Sequence, residues 1–269
     1  MSVRINLPQT LKDKIAARED PLIGLWVCSG STIAAEIVAS SGADWVLLDT
    51  EHSPNGLEST LAQLYAMSAY EVTPVVRLPY GDTVLVKQFL DLGAQNLLIP
   101  MVDSAEQARE IAKAVRYPTG GVRGVGAALA RSSRWNRVEN YLQNARETIS
   151  LTVQIESAAA VKEARSILEV DGVDAIFIGP SDLAASMGHL GVQNHPEVVQ
   201  AVLNTIDIAK SVGKPVGVNA FVEADAQKYL DRGAEFVAVG ADVAILARNT
   251  ESLVASFKKD ATPNSRASY

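Results

Sequence analysis

The sequence is poor in cysteine and in long apolar runs, and each absence excludes a class of protein. Cys28 is the one cysteine among 269 residues, so neither an intrachain disulfide nor a cysteine-rich metal site can form. No uninterrupted apolar stretch is long enough to span a bilayer, and the N-terminal residues lack the apolar core of a secretory signal. We therefore expect a cytoplasmic protein with no membrane partner.

Positive charge is also sparse. The chain has 24 Lys and Arg against 31 Asp and Glu, a formal net charge of −7, and its densest basic run is the pair Lys258 and Lys259. A surface that binds nucleic acid or an anionic membrane needs a concentrated basic patch. We expect neither partner. The remaining composition, 48% hydrophobic and 20% charged, is that of a globular protein with ample material for a core.

Eight short apolar runs recur along the chain and are separated by stretches with helical spacing. They span residues 24–28, 45–49, 74–78, 96–100, 151–156, 175–179, 215–219 and 236–240. Near-continuous hydrophobicity is typical of parallel strands that are buried on both faces. Eight such strands alternating with helices predict the α/β class and a (β/α)₈ TIM barrel.

The connections predict the domain organisation. No Pro/Ser-rich linker divides the chain, so we predict a single domain over 1–269, with the polar residues 258–269 as a flexible tail. The long connection between the fourth and fifth strands contains a predicted helix over 138–149, and such excursions usually form an active-site or oligomer contact. The last predicted helix, 242–257, is more apolar than an exposed helix needs, which indicates an interface.

Carboxylates follow two consecutive predicted strands. In this fold the chemistry lies at the carboxyl ends of the strands. Glu156 ends the fifth strand and Asp182 follows the sixth, while Gln154 points to the same side as Glu156 because alternate residues of a strand share a face. Helix capping would also explain Asp182. Two protein carboxylates leave coordination positions open, so we predict a site for a hard cation such as Mg²⁺ or Mn²⁺.

Strands two and three add a histidine and an arginine. His52 follows the second strand beside Asp49 and Glu51, and we interpret it as functional rather than as a surface or core histidine. Arg77 lies inside an apolar strand, where a guanidinium is costly unless it meets an anion. That anion is either Asp49 or Glu51 in a buried ion pair, or a substrate oxygen that gains negative charge. Gly179, after the sixth strand, permits close backbone approach.

The sequence lacks the residue patterns that are typical of Schiff-base catalysis, nucleotide binding and zinc binding. No lysine stands at the carboxyl end of a predicted strand, so we expect no Schiff-base catalysis, and Asp242 after the eighth strand would repel a phosphate. The glycines of GGVRGVG match no nucleotide-binding motif. No histidine or cysteine pair has the spacing of a zinc site, so His189, in a loop, and His195, at a helix start, receive structural interpretations.

Seven segments together resemble one family. GLWV, DTEHSPN, VVRLP, LDLGAQNLLIPMV, RGVGAALARSSRWNR, VQIES and IFIGPSDLAASMG are similar to the metal-dependent (class II) pyruvate aldolases of the 4-hydroxy-2-oxoheptanedioate and 2-dehydro-3-deoxyglucarate aldolase group, from about Ile23 to Phe257. The resemblance implies a homo-hexamer, a dimer of trimers, with the C-terminal helix exchanged between subunits. It also implies reversible cleavage of 4-hydroxy-2-oxo acids to pyruvate and an aldehyde with Mg²⁺, Mn²⁺ or Co²⁺.

The resemblance also implies a role for each site residue. It makes Glu156 and Asp182 the metal ligands, His52 the proton-transferring base, Arg77 the group that stabilises the enolate oxygen, and Gln154, Ser181, Gly179 and Trp26 the substrate-binding residues. It pairs the base with Asp91. The order of elements favours Asp49 or Asp82 instead, because Asp91 ends a helix that leads to the start of the fourth strand.

Two alternatives remain open at this stage. A CoA-ester lyase of the malyl or citramalyl type shares metal-enolate chemistry but needs a basic, extended site, and no basic run supplies one. A non-catalytic barrel that binds 2-oxo acids would need no proton-transfer group, so the joint presence of His52, Arg77, Glu156 and Asp182 argues against it. The aldehyde stays undecided between a succinic semialdehyde-like acid and a hydroxylated sugar-acid fragment.

Overall fold

Eight parallel strands close into one barrel, in which each strand pairs with the next and β8 pairs with β1. The structure, a computed structural model, describes residues 5–258. The strands are β1 (Leu22–Val27), β2 (Trp45–Asp49), β3 (Thr73–Arg77), β4 (Asn96–Ile99), β5 (Ser150–Ile155), β6 (Ala175–Ile178), β7 (Val216–Asn219) and β8 (Phe236–Ala241). The predicted (β/α)₈ TIM barrel is confirmed.

Helices alternate with the strands along the described residues. They are α1 (Leu11–Ala16), α2 (Thr32–Ala39), α3 (Leu57–Met67), α4 (Thr83–Asp91), α5 (Ala105–Ala114), α6 (Tyr141–Asn144), α7 (Ala158–Leu168), α8 (Pro180–Ser186), α9 (Pro196–Ser211), α10 (Glu223–Arg232) and α11 (Asp242–Ala255). Between residues 5 and 258, none of them has both the length and the apolar character that a bilayer crossing requires.

The interior of the barrel is filled with aromatic rings. Trp45, Phe177 and Phe236 lie on three different strands, with ring centroids 5.6 to 6.0 Å apart. Gly24 and Gly217 leave the space for these rings, because a Cβ atom would lie 2.2 Å from the Trp45 ring and 2.3 Å from the Phe236 ring, respectively. The barrel is therefore a packed core, as this fold requires, and polar side chains beyond this layer lie at the strand ends.

A short helix that the sequence interpretation missed packs on the amino end of the barrel. Thr10 and Asp13 form a capping box at the start of α1. Leu11 and Ile15 are buried in the cluster that fills the barrel interior. The backbone N–H of Leu11 donates to Oδ1 of Asn96, at the start of β4, over 2.7 Å. Helix α1 therefore covers the end of the barrel opposite the carboxyl ends of the strands.

The predicted helix over 138–149 is wrong. Only Tyr141–Asn144 is helical, and Asn140 before it has φ 52°, in the left-handed region. Arg134 and Trp135 also have positive φ, at 52° and 55°. Side chains other than glycine adopt this conformation rarely, so the connection folds as successive turns with two short 3₁₀ segments rather than as one helix.

The last helix has an apolar surface that no other described residue covers. No residue of α11 is buried, and Leu246 and Leu253 are 71% and 64% exposed. The apolar character predicted for this helix is therefore present on its surface, while its exchange between subunits stays a prediction. The predicted tail, 258–269, lies outside the described residues apart from Lys258.

Candidate active site

A buried carboxylate lies at the carboxyl end of β5. Glu156, directly after the strand, is 3% exposed, and its Oε1 accepts a hydrogen bond of 2.7 Å from the backbone N–H of Met101. The side-chain amide of Gln154 donates to Oε2. Burial, together with the negative charges of Asp182 and Glu51, raises the pKa of Glu156 to about 7. Glu156 thus lies where its charge is costly without a positive partner.

The close packing around Glu156 depends on a glycine. A Cβ atom at Gly179 would lie 2.8 Å from Gln154 Nε2 and 2.8 Å from Glu156 Oε2, both too close. The predicted close approach at Gly179 is therefore an approach of two side chains. Gln154 Oε1 is buried and has no hydrogen-bond partner among the described residues, and the same holds for Trp26 Nε1. An unpaired buried oxygen beside a carboxylate is a feature of a site that binds something.

Asp182 lies in the first turn of α8, after β6. It does not cap the helix, since Gly179 occupies the N-cap position, so the capping explanation left open by the sequence does not apply. The helix N-terminus favours a negative charge there. Burial is the main cause of the raised pKa of Glu51 and of Glu156, and the negative charge of Asp182 adds to both shifts.

Arg77 meets both of the anions that the sequence proposed. It is 4% exposed, its Nε donates to Asp49 Oδ1 over 2.8 Å, and its Nη1 lies 2.8 Å from Glu51 Oε2. The guanidinium carbon lies 4.4 Å from the centroid of the Trp26 ring. Two carboxylates offset the cost of burying this charge and fix its orientation. Nη2 has no hydrogen bond to the described residues, so the buried ion pair and a substrate contact are compatible.

His52 is exposed at the rim of the site. Its side chain is 67% exposed, and its Nε2 lies 3.9 Å from Glu51 Oε2. Of its proposed acidic partners, Asp49 is bonded to Arg77, and Asp82 accepts from the N–H groups of Val84 and Leu85 at the start of α4. Neither is engaged with His52 in this chain.

Asp91 lies away from His52. It is the last residue of α4, so it is near the amino end of the barrel, and its carboxylate pairs with the fully buried Arg123 over 2.9 Å. The chain alone does not bring Asp91 and His52 together, and the role implied for Asp91 stays a prediction. Ser181, in the first turn of α8, donates its hydroxyl to Gln193 over 2.9 Å.

The residues present fit the cation that the family resemblance implies. Burial raises the pKa of Glu51 and of Glu156, the negative charge of Asp182 adds to both shifts, and Gln154 Oε1 offers a further oxygen without a partner among the described residues. A cation would neutralise the cluster, and an all-oxygen donor set favours Mg²⁺ or Mn²⁺ over zinc. The roles of Glu156 and Asp182 as metal ligands stay predictions.

Glu51, which the sequence proposed only as a partner of Arg77, also lies beside the carboxylate cluster. Two further contributors to the site were not assigned by the sequence. Met101, with φ 53°, presents its backbone N–H to Glu156, and nothing in the sequence indicates this. Asn219 ends β7 with a buried, unpartnered Oδ1, and a polar residue that closes an apolar strand was its signal.

The fold and the site together define a class of protein. A closed (β/α)₈ barrel with buried carboxylates and a paired arginine at the carboxyl ends of its strands is typical of a barrel enzyme that handles a developing negative charge. The chain belongs to the HpcH/HpaI aldolase/citrate lyase family, which matches residues 22–249. The predicted family and the predicted carbon–carbon lyase class are confirmed.

Individual relatives are similar to this chain over most of its length. The hydroxypyruvate/pyruvate aldolase of Deinococcus radiodurans is 52% identical and covers 94% of this chain and 91% of its own length. The 4-hydroxy-2-oxo-heptane-1,7-dioate aldolase of Salmonella heidelberg is 48% identical and covers 93% of this chain and 95% of its own length. The crystal structure of a family member from Burkholderia cenocepacia J2315 superposes with a TM-score of 0.88 at 37% identity. The superposition covers 92% of this chain and 98% of that one.

Proposed function

We propose that this chain reversibly cleaves 4-hydroxy-2-oxo acids to pyruvate and an aldehyde. The observation that supports this most directly is the presence of a buried carboxylate, Glu156, and a buried, oriented arginine, Arg77, at the same end of the barrel. The family and the aldolase names of two relatives favour the same reaction. Cleavage leaves an electron pair on a 2-oxo acid, and this site offers a positive group for it.

Glu156 and Asp182 would hold a divalent cation, Mg²⁺, Mn²⁺ or Co²⁺, and a bound cation of this kind polarises a carbonyl oxygen as a Lewis acid. Gln154 uses its amide N–H groups to hold Glu156, which leaves Oε1 for a ligand of the site. Trp26 packs under the Arg77 guanidinium and limits the directions it can adopt. Ser181 and Gly179 would bound the substrate space from α8.

Arg77 would stabilise the oxygen that gains charge when the C3–C4 bond breaks. Its Nε and Nη1 are held by Asp49 and Glu51, so Nη2 can donate to the 2-oxo oxygen without reorganisation. His52 would accept the proton of the C4 hydroxyl, and its exposure leaves the imidazole accessible for this transfer. General base assistance of this kind contributes about 10²- to 10⁴-fold.

We further propose that the chain forms one barrel domain, acts in the cytoplasm and assembles as a homo-hexamer with α11 exchanged between subunits. The exposed apolar side chains of α11 support an interface there. If Asp91 is the acid that pairs with His52, it must come from a second copy, because the two lie towards opposite ends of one barrel. Mixed oligomers of His52→Ala and Asp91→Asn chains would then regain activity that neither variant has alone.

The proposed function is tested by exchange of the pyruvate C3 protons in D₂O, followed by NMR. We expect exchange with Mg²⁺ or Mn²⁺, none after EDTA treatment, and none with Glu156→Gln, which keeps the shape of the side chain but removes its charge. Absence of exchange with every divalent cation, while pyruvate still binds, would show a non-catalytic 2-oxo acid binder. Exchange restricted to CoA esters would favour the alternative lyase.

A further inference from the structure

Two histidines and a glutamate come together on the surface beside α8. His189 follows α8, His195 immediately precedes α9, and Glu197 lies in the first turn of α9. Potential ligand atoms of the three side chains all lie within 4.8 Å of one another. The chain has three histidines in total, so two of them meet in this cluster, which we name the HHE cluster.

The backbone between the two histidines is fixed by its own hydrogen bonds. The backbone N–H of His189 donates to the carbonyl oxygen of Ala184 over 2.8 Å, and the backbone N–H of His195 donates to the carbonyl oxygen of Val192 over 3.0 Å. Gly188 precedes His189 with φ 87°, a conformation that residues with a Cβ rarely adopt. The two imidazoles are therefore brought together by a folded turn and not by helical spacing, which is why the sequence pattern gave no metal signal.

The side chains stand at distances that suit a cation. His189 Nε2 lies 3.1 Å from Glu197 Oε2. Two ligand atoms each about 2.0–2.1 Å from a tetrahedral zinc are about 3.3 Å apart, so a metal can take the place of the proton that now joins this pair. The imidazole rings are stacked, with centroids 3.5 Å apart and planes at 15°.

The cluster can reach a coordinating geometry by a small movement. Stacked rings point their lone pairs side by side, so one ring must rotate for both to face a single cation. His195 Nδ1 accepts a long hydrogen bond of 3.3 Å from the N–H of Glu197, an interaction that the ring can exchange for a metal at low cost. The His189 side chain is 24% exposed and that of Glu197 69%, which leaves space for rotation and access from solvent.

We propose that His189, His195 and Glu197 form a second metal site, which takes a late first-row divalent cation such as Zn²⁺. Two imidazoles and one carboxylate suit zinc, nickel or copper, whereas magnesium prefers oxygen ligands. The carboxylates at the strand ends have the opposite preference, so the two sites select different ions. The HHE cluster is connected to the active site, since Gln193, between its histidines, accepts a hydrogen bond from Ser181.

Zinc binding to tag-free, full-length protein tests the proposal. Glu156→Gln with Asp182→Asn removes the strand-end carboxylates, and excess Mg²⁺ occupies remaining oxygen sites. In this background, calorimetry should detect about one Zn²⁺ per chain with ligands from the HHE cluster. His189→Phe keeps a stacked ring and His195→Asn keeps a helix cap. Each should weaken zinc binding by at least about tenfold, since loss even of groups behind the ligands costs 10–100-fold.

Controls separate this site from its competitors. His52→Ala removes the third histidine and should leave the affinity for zinc unchanged. Co²⁺ provides a second readout, because nitrogen ligation in a low-symmetry site gives visible absorption that both imidazole variants should lose. Circular dichroism checks that each variant is folded. The proposal is overturned if the background protein binds no zinc, or if folded His189→Phe and His195→Asn chains bind it as tightly as the background does.

Discussion

The two ends of the barrel use similar polar residues in opposite ways. At the amino end, Asp44 Oδ2 accepts from the N–H of Ile23 over 2.9 Å, and Asp174 Oδ2 accepts from the N–H of Leu151 over 2.7 Å. These carboxylates satisfy strand groups that would otherwise lack partners where the strands begin. Their hydrogen bonds are complete within the chain, so this end of the barrel is organised for stability.

At the carboxyl end the polar groups are left incomplete. Burial raises the pKa of Glu51 and of Glu156, and Oε1 of Gln154 has no partner within residues 5–258. Arg77 supplies buried positive charge inside this cluster. The difference teaches that one fold separates stability and binding by position, since carboxylates bond to backbone N–H groups at the amino end and are buried with raised pKa values at the end where ligands enter.

The largest effect should come from removing the buried arginine at the carboxyl end. Arg77→Ala is expected to lower kcat by about 10²- to 10³-fold or more, because a developing oxyanion loses its donor. Cation binding, measured by calorimetry, should survive. The variant also leaves Asp49 and Glu51 without their partner. Arg77→Lys therefore serves as a second variant, because it keeps the positive charge but loses the planar set of guanidinium donors. Near-normal turnover in a folded Arg77 variant contradicts the assigned role.

The raised pKa of Glu156 predicts a pH dependence of stability that the amino end should not share. Its native pKa of about 7 lies above the usual value of about 4.3. In cation-free buffer its contribution to the free energy of unfolding is therefore present at low pH and lost as the pH rises through about 7. The loss amounts to a few kcal/mol. Urea unfolding at about pH 5 and about pH 8 measures it.

Glu156→Gln is the matched variant for this measurement, since it cannot ionise. Its free energy of unfolding should change less between the two pH values than that of the wild type, by the same few kcal/mol. Saturating Mg²⁺ should restore the stability of the wild type at high pH but not affect the variant. Equal pH profiles for the two proteins would show that Glu156 has an ordinary pKa.

At the amino end, a substitution should change stability and leave catalysis intact. Asn96 is 3% exposed, accepts from the N–H of Leu11 and donates to the carbonyl of Pro74 over 2.9 Å. Asn96→Ala removes both bonds and is expected to lower the free energy of unfolding by about 1–3 kcal/mol with kcat unchanged. Asn204→Ala, on the surface of α9, is the control and should stay within about 0.5 kcal/mol. A large loss of kcat in Asn96→Ala would remove the distinction between the ends.

The smallest effect concerns the start of α4. Asp82 Oδ1 accepts from the N–H groups of Val84 and Leu85, so Asp82→Ala should cost about 1 kcal/mol of stability through the lost cap. Asp82→Asn keeps a cap without the charge and should be almost neutral. Steady-state kinetics of Asp82→Asn then decides a question left open by the sequence, because a marked loss of kcat would identify Asp82 as the acid that pairs with His52.

Most of the barrel could be predicted because its strands are apolar on both faces. That pattern is local, and all eight runs became strands close to their predicted bounds. Helix α1 was missed although Thr10 and Asp13 carry its capping signal, because six residues are too few for a clear period. The predicted helix at 138–149 failed because left-handed residues such as Asn140 override its apolar spacing.

The site could be predicted only as far as strand ends determine it. Arg77 and Glu156 were found because a charge at the end of an apolar strand stands out in the sequence. The contact of Met101 with Glu156 depends on a backbone orientation that no side chain signals. The meeting of His189 with His195 likewise depends on how the turn between them folds. These are tertiary facts, and one sequence does not contain them.

The docking of α1 has a consequence for the order in which the chain can fold during synthesis. Leu11 bonds to a residue made 85 positions later, and Lys12 donates to the carbonyl of Ile149, 137 positions later. A six-residue helix is too short to persist alone in water, so it has nothing to hold it when it leaves the ribosome. Strand β1 must likewise wait for β8, the last strand translated. Helix α1 is thus translated well before the residues that hold it. The amino end of the barrel stays uncovered until Ile149, about half-way along the sequence, has been translated.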